Sequence, residues 1–164
     1  MLNRLIKWEQ IRGFLYYALY LVVAMLLQSL LFSRIEILGA KGFILPAAVT
    51  AAAIQLGGVK GAVFGMCMGL LTDFSFSDST VLYTVVFTLI GFGVGFASEF
   101  YLNKSFFAFL LFGTAAVLLT GLLQFAAAFV LHGAGLFAGL WTVLLQTVLS
   151  IPPAMLLWLP LRSR

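Results

Sequence analysis

Charge is the property that this sequence has least of. Only 9% of its 164 residues are charged and 63% are hydrophobic, whereas an average soluble domain is about 25% charged and about 45–50% apolar. A soluble fold of this size could not bury so much apolar surface. The chain is also too short to hold a separate soluble catalytic module beside its apolar stretches. We therefore expect a single membrane-embedded domain, residues 1–164, that works within the bilayer.

Residues that commonly carry chemistry are almost missing. Cys67 is the only cysteine, which excludes an intramolecular disulfide and a thiolate metal cluster, and His132 is the only histidine. The sequence contains no GxxxxGK[ST], HExxH, GxSxG or paired CxxC pattern, so ATP hydrolysis and metalloproteolysis are poorly supported. An intramembrane transferase would need several acids, histidines or nucleophiles at one depth. We predict a protein that is not an enzyme and holds no cofactor or metal.

Long apolar runs fill most of the chain and are separated by short polar segments. About 20 apolar residues in a helix cross a hydrocarbon core of roughly 30 Å, and the bilayer favours helices because it satisfies no backbone hydrogen bonds. The sequence predicts an all-α, six-helix transmembrane bundle. The turn between the second and third helices is Gly57-Gly58-Val59-Lys60. The predicted helices are 13–32, 43–59, 61–77, 80–98, 106–131 and 136–161.

The basic residues are divided unequally between the two sides of this bundle. Arg34 and Lys41 lie on one side, and the other seven lie opposite: Arg4, Lys7, Arg12, Lys60, Lys104, Arg162 and Arg164. Cytoplasmic loops are generally richer in lysine and arginine, so the distribution predicts that both termini are cytoplasmic. The basic residues form no stripe that would bind nucleic acid.

Two series of small residues recur at steps of four. Gly61, Gly65, Gly69 and Asp73 lie along one face of the third helix, while Gly91 and Gly95 precede Glu99 in the fourth. Such faces allow close approach of helices in lipid. Two partners are consistent with the first series: another helix of this chain, or a second protein. The glycine stripes also permit pairing with a second copy of the chain.

Asp73 falls at membrane depth if the third helix continues past it. A carboxylate there is costly and usually finds a partner, for which Arg34 and Lys41 are on the predicted outer side. Alternatively, the helix ends just before Asp73, and the carboxylate caps a water-exposed turn together with Asp78. The sequence leaves both arrangements open.

Glutamines interrupt four of the predicted spans. Their amides can hydrogen-bond between helices, which is worth about 0.6–2 kcal/mol each, or they can line a small polar cavity. The four are Gln28, Gln55, Gln124 and Gln146.

Taken in chain order, several of these residues form a series that resembles the rod-shape-determining protein MreD family over residues 20–105. The series is Leu27-Gln28-Ser29, Gly39, Gly61-Ala62-x2-Gly65-x3-Gly69-Leu70-Leu71-x-Asp73 and Leu89-Ile90-Gly91-x3-Gly95. Two departures stand out. Phe74-Ser75-Phe76-Ser77-Asp78-Ser79 replaces glycines that the family often carries, and Phe92 follows Gly91 where tyrosine is frequent.

The resemblance implies a non-enzymatic scaffold subunit of the bacterial cell-elongation machinery in the cytoplasmic membrane. It implies binding to the bitopic protein MreC, and indirect work with MreB filaments, the glycosyltransferase RodA and a class B penicillin-binding protein in peptidoglycan synthesis and rod shape. By the same resemblance, Gly65, Gly69 and Asp73 are structural or interface positions. The surrounding contacts would be with membrane lipid.

An alternative function is that of the substrate-binding subunit of an energy-coupling-factor vitamin transporter, whose six-helix fold the MreD family is thought to share. Gln28, Arg34 and Asp73 would then form an outer polar cluster around the vitamin. Those subunits typically carry small residues four apart on the first helix, whereas here Ala18 is followed by Val22. That departure favours the scaffold.

Overall fold

The computed structural model describes the backbone of most of the chain, namely residues 2–32, 36–37, 40–76, 82–100, 105–132 and 135–162. Helices dominate these ranges, which confirms the all-α architecture. They are α1 Leu2–Leu27, α2 Leu45–Leu56, α3 Gly58–Phe76, α4 Leu82–Phe100, α5 Phe106–His132 and α6 Leu136–Arg162. A π-helical segment, Gln28–Phe32, continues α1. Two short strands follow it, β1 Glu36–Ile37 and β2 Ala40–Lys41, paired antiparallel with Glu36 opposite Lys41.

Five of the helices begin and end within three residues of the predicted limits, whereas α1 begins at Leu2 rather than at residue 13. Hydropathy locates the apolar part of a helix, and the lysine, arginine and glutamate before it are good helix formers that extend it. The predicted four-residue turn is also too long. Only Gly57 is non-helical, with a φ of 84°, and Lys60 lies in the first turn of α3.

Three helices in the described ranges are long and apolar enough to cross a membrane: Leu82–Phe100, Phe106–Val130 and Gly139–Trp158. Shorter apolar segments lie at Leu15–Leu30 and Leu45–Leu56. Large apolar side chains are also exposed on the outside of the bundle, including Leu19 at 63%, Leu89 at 66% and Val148 at 64%. Soluble monomers rarely expose so much contiguous apolar surface. These features are those of a membrane protein.

The short helix α2 is the centre of the bundle. All its residues from Leu45 to Ile54 are buried, and it contacts α3, α4, α5 and α6. Most of these residues are small, which lets four helices approach it closely. The antiparallel pairs α3–α4 and α5–α6 therefore form two hairpins on either side of α2.

The first helix packs at the periphery. The Tyr17 and Tyr20 rings lie against Phe64 of α3, with centroids 6.4 and 6.2 Å apart. The Tyr20 hydroxyl donates a hydrogen bond of 3.3 Å to the Leu157 carbonyl of α6. These contacts hold the N-terminal half of α1 against the bundle.

Candidate functional site

The glycine face of α3 packs directly on the backbone of α4. A Cβ atom added at Gly61 would lie 2.7 Å from a carbonyl oxygen of α4, which is closer than real Cβ atoms approach any atom. The other two glycines of the series have equally little room. The carbonyl contacts are Gly61 with Gly91, Gly65 with Phe87 and Gly69 with Tyr83.

The second glycine series completes this interface from the side of α4. A Cβ at Gly91 would collide with the Gly61 carbonyl, and one at Gly95 with the Gly57 carbonyl. Gly93, between them, has nothing within 4 Å and faces outward. The two series thus pack against each other inside this chain, which is the first of the two partners considered from the sequence.

Asp73 caps the N-terminus of α4. Its carboxylate accepts hydrogen bonds from the backbone amides of Tyr83, at 3.1 Å, and Thr84, at 2.9 Å, and from the Thr84 hydroxyl. The first amides of a helix have no partner within it, and the helix dipole favours negative charge there. The half-buried carboxylate therefore has its charge stabilised without a basic residue.

Neither arrangement predicted for Asp73 is found among the described residues. The helix does not end before it, because α3 continues to Phe76. Its bonds are made to α4 and not to a lysine or arginine. Arg34 and Asp78 lie outside the described residues, as does the side chain of Lys41.

Glu99 makes the reciprocal contact at the other end of the hairpin. Its Oε1 atom accepts a hydrogen bond of 3.1 Å from the Gly58 amide, at the N-terminus of α3. Each helix of the antiparallel pair thus ends in an acid that caps the beginning of the other. The sequence shows an acid four residues after each glycine series, but we did not predict this exchange.

Gln28 lies at the entrance to the central helix. Its Nε2 donates to the Gly42 carbonyl at 3.0 Å, and its Oε1 accepts from the Ile44 amide at 2.9 Å. Ile44 is the N-cap of α2 and provides no side-chain cap of its own. The neighbouring Phe43 amide donates to the Ser150 hydroxyl of α6 at 2.9 Å. Side chains of α1 and α6 thus satisfy the first amides of α2.

Further polar side chains connect α4, α5 and α6. Gln124 Nε2 donates to the Tyr83 hydroxyl at 2.8 Å, and Gln146 Nε2 donates to Gln124 Oε1 at 3.3 Å. The Ser150 hydroxyl donates to the Gln146 carbonyl at 2.7 Å. Two of the predicted interhelical glutamines therefore bond to each other.

These bonds relate the members of the predicted outer cluster in an unexpected way. Gln28 and Asp73 do not touch; they lie at opposite ends of a polar chain that crosses the bundle, and Arg34 is outside the described residues. Sequence reasoning missed Tyr83 and Ser150, which complete the chain. A lone hydroxyl on an otherwise apolar helix was the available signal.

The chain of polar groups is not directed into an open cavity. One small cavity of about 10 Å³ lies between α2, α5 and α6, and a groove of about 280 Å³ lies between α1 and α3. Neither Asp73 nor Gln28, Gln124 or Gln146 lines them. Within the described ranges, no three His, Cys, Asp or Glu residues are grouped as a metal site would require. The arrangement orders helices, and its groups bond mainly to each other.

We compared the chain with protein-family models, with curated proteins and with solved structures, and none of the three comparisons gave a match.

Proposed function

We propose that the protein is a non-enzymatic membrane scaffold subunit of the bacterial cell-elongation machinery that binds an MreC-like bitopic protein through its helix faces. One observation carries the proposal. The residues on which the MreD resemblance mainly depends form one packed unit, because the glycines of α3 meet those of α4 and Asp73 closes its end. Residues matched by chance to a glycine-rich pattern would have no reason to meet in this way.

The proposed placement is six membrane crossings in the bacterial cytoplasmic membrane, with both termini in the cytoplasm. The excess of lysine and arginine on one side supports this orientation. The 12-residue α2 is only about 18 Å long, less than the roughly 30 Å of hydrocarbon. Because α2 is surrounded by helices of its own chain, it does not need to match the bilayer thickness by itself.

The polar side chains support a linking role over a vitamin-binding one. A substrate site needs hydrogen-bonding groups that converge on a cavity. Here Gln124 bonds to Tyr83 and Gln146, and Gln28 bonds to the backbone at the start of α2. The same groups therefore fix the helices relative to one another, which suits a protein whose surface is its working part.

The decisive experiment is recovery of partners from native membranes. The tagged protein is extracted in a mild detergent, and co-purifying proteins are identified by mass spectrometry. Recovery of an MreC-like protein together with cell-elongation enzymes is the expected result. Recovery of an ATPase pair with a transmembrane coupling subunit would replace the scaffold with the transporter.

Two matched variants test whether the hairpin supports partner binding. Gly65→Leu places a large side chain against the Phe87 carbonyl, whereas Gly93→Leu adds the same side chain at a position with open space. We expect loss of membrane abundance or of partner recovery for Gly65→Leu alone. Normal accumulation and binding by both variants would separate the hairpin from the proposed function.

A further inference from the structure

A groove opens to the outside of the bundle between α1 and α3. Five residues of α1 between Leu21 and Ser29 line it, facing Leu71 and Ser75 of α3, and its volume is about 280 Å³. Leu26 and Leu71 are 51% and 42% exposed. The groove is thus an indentation in an apolar surface that, under the membrane placement proposed above, faces lipid.

The bonding of Gln28 explains why the groove forms. Gln28 ties the C-terminal end of α1 to the start of α2, while the tyrosines of its first half lie against Phe64 of α3. The first helix therefore contacts α3 at one level and is directed toward α2 at the other. A π-helical turn begins at Gln28 itself, where the helix adjusts to make this contact.

The groove has a polar end and a closed end. Ser29 and Ser75 place hydroxyl groups at the end near the predicted outer surface, and the remaining lining residues are apolar. From Leu21 to Ser29 the helical rise is about 12 Å, close to half of a hydrocarbon core of roughly 30 Å. The groove therefore spans about one leaflet, with its polar end at headgroup depth.

This shape distinguishes a lipid tail from a transmembrane helix. The contact of Tyr17 and Tyr20 with Phe64 closes the groove near the middle of the bilayer. A partner helix has to continue across the whole membrane and could not follow a groove that ends halfway. An acyl chain ends in the bilayer centre and carries its polar headgroup at the surface.

We propose that the α1–α3 groove binds one acyl chain of an outer-leaflet phospholipid, with the headgroup beside Ser29 and Ser75. The inference rests on the membrane placement of the proposed function and not on the identity of the protein partner. Bound in this way, the lipid fills the gap between α1 and the hairpin and becomes part of the bundle surface.

The test uses the full chain, purified and reconstituted in vesicles of phosphatidylethanolamine and phosphatidylglycerol. A small fraction of the phosphatidylethanolamine carries a diazirine on its acyl chain, and labelled positions are mapped by mass spectrometry after illumination. Leu71 in the groove is compared with Val85 of α4, which lies at a similar depth and is 56% exposed. We expect several-fold more label at Leu71 than at Val85.

Two substitutions on α1 refine the result. Met25→Trp fills the groove, while Val23→Trp adds the same ring to an exposed position that does not line it. Labelling of Leu71 should fall several-fold in the first variant and stay unchanged in the second, with both variants eluting as monodisperse protein. If Met25→Trp does not fold, the ratio of Leu71 to Val85 in the unaltered protein still decides.

Equal labelling of Leu71 and Val85 would overturn the proposal, since it would indicate ordinary surrounding lipid. Loss of the Leu71 label when the MreC-like protein is co-reconstituted would overturn it as well, by assigning the groove to a protein. Partner recovery from native membranes does not depend on either result. The two proposals can therefore fail separately.

Discussion

The two helical hairpins on either side of α2 use glycine differently. In α3–α4, a Cβ added at Gly61, Gly65 or Gly69 would meet backbone atoms of the opposite helix. In α5–α6, a Cβ at Gly121 or Gly139 would meet side chains instead. A side chain can change rotamer, but a backbone carbonyl moves only with its helix. Glycine is therefore required for helix contact in the first hairpin and merely convenient in the second.

The polar contacts of the hairpins differ in the same direction. The α3–α4 pair is capped by carboxylates, Asp73 at one end and Glu99 at the other. The α5–α6 pair is joined by the neutral amides of Gln124 and Gln146. Hydrogen bonds to a charged group contribute about 1.5–3 kcal/mol, against about 0.5–1.5 kcal/mol for neutral pairs. We infer that α3–α4 is the more rigid unit.

The largest effect should come from Gly65→Ala. The new methyl group would push the Phe87 carbonyl, and with it α4, away from α3. Overpacking of this kind costs about 1–3 kcal/mol, and backbone displacement puts it at the upper end, beyond the roughly 1 kcal/mol gained from alanine's helix propensity. We expect the free energy of unfolding, measured by titration with SDS in mixed micelles, to fall by about 2 kcal/mol.

Gly93→Ala is the matched control for that measurement. Gly93 lies on the same helix, and no atom lies within 4 Å of an added Cβ. Only the propensity term remains, so the protein should gain up to about 1 kcal/mol. A loss of stability in both variants would show that α4 tolerates no substitution and that backbone contact is not the reason.

Asp73→Ala should have the next largest effect. It leaves the amides of Tyr83 and Thr84 without the carboxylate that accepts their hydrogen bonds. Loss of an N-terminal cap costs about 0.5–2 kcal/mol, and the half-buried site places Asp73 near the higher value. Asp73→Asn keeps one acceptor oxygen and should lose about half as much. The same SDS titration distinguishes the two.

The exposed Glu99 provides the internal control for Asp73. It caps α3 through a single bond to the Gly58 amide, and water competes for that amide, so Glu99→Gln should cost less than about 1 kcal/mol. If Glu99→Gln proves as destabilising as Asp73→Ala, the two ends of the hairpin are equivalent and burial does not govern the caps.

The spacing of residues predicted the faces of α3 and α4 but not their neighbours. Steps of four place Gly61, Gly65 and Gly69 on one side of a helix wherever that side points. Which helix covers them depends on the whole bundle. The same limit applies to Asp73, since the amides that it caps lie ten residues away along the chain, and no local rule connects them.

The central position of α2 was also beyond the sequence. Its apolar run predicted a helix, but Ala-rich segments occur both at lipid surfaces and in bundle centres. Its two polar contacts, with Gln28 and Ser150, come from the first and last helices. Because those contacts depend on how α1 and α6 pack, a reading of α2 alone could not find them. Hydropathy gave the number of helices well and their relations poorly.

Gln146→Leu probes the amide contact between α5 and α6. Leucine has a similar volume, so the packing of this buried position is preserved while the bond to Gln124 is lost. Interhelical hydrogen bonds in membranes contribute about 0.6 kcal/mol on average, and we expect a loss of that size. A double-mutant cycle with Gln124→Leu measures the coupling directly. A coupling as large as the effect of Asp73→Ala would contradict the ranking of the two hairpins.

Gly139→Ala should have the smallest effect and is the sharpest test of the difference between the hairpins. Its Cβ would meet the Phe125 ring, which can rotate away at a rotamer cost of about 0.5–1.5 kcal/mol. The gain of about 1 kcal/mol in helix propensity nearly offsets that cost. The free energy of unfolding should therefore stay within about 0.5 kcal/mol of the parent value. Phe125→Leu removes the ring, so Gly139→Ala in that background should stabilise the protein. If Gly139→Ala instead destabilises as much as Gly65→Ala, movable side chains do not protect α5–α6, and the two hairpins share one packing rule.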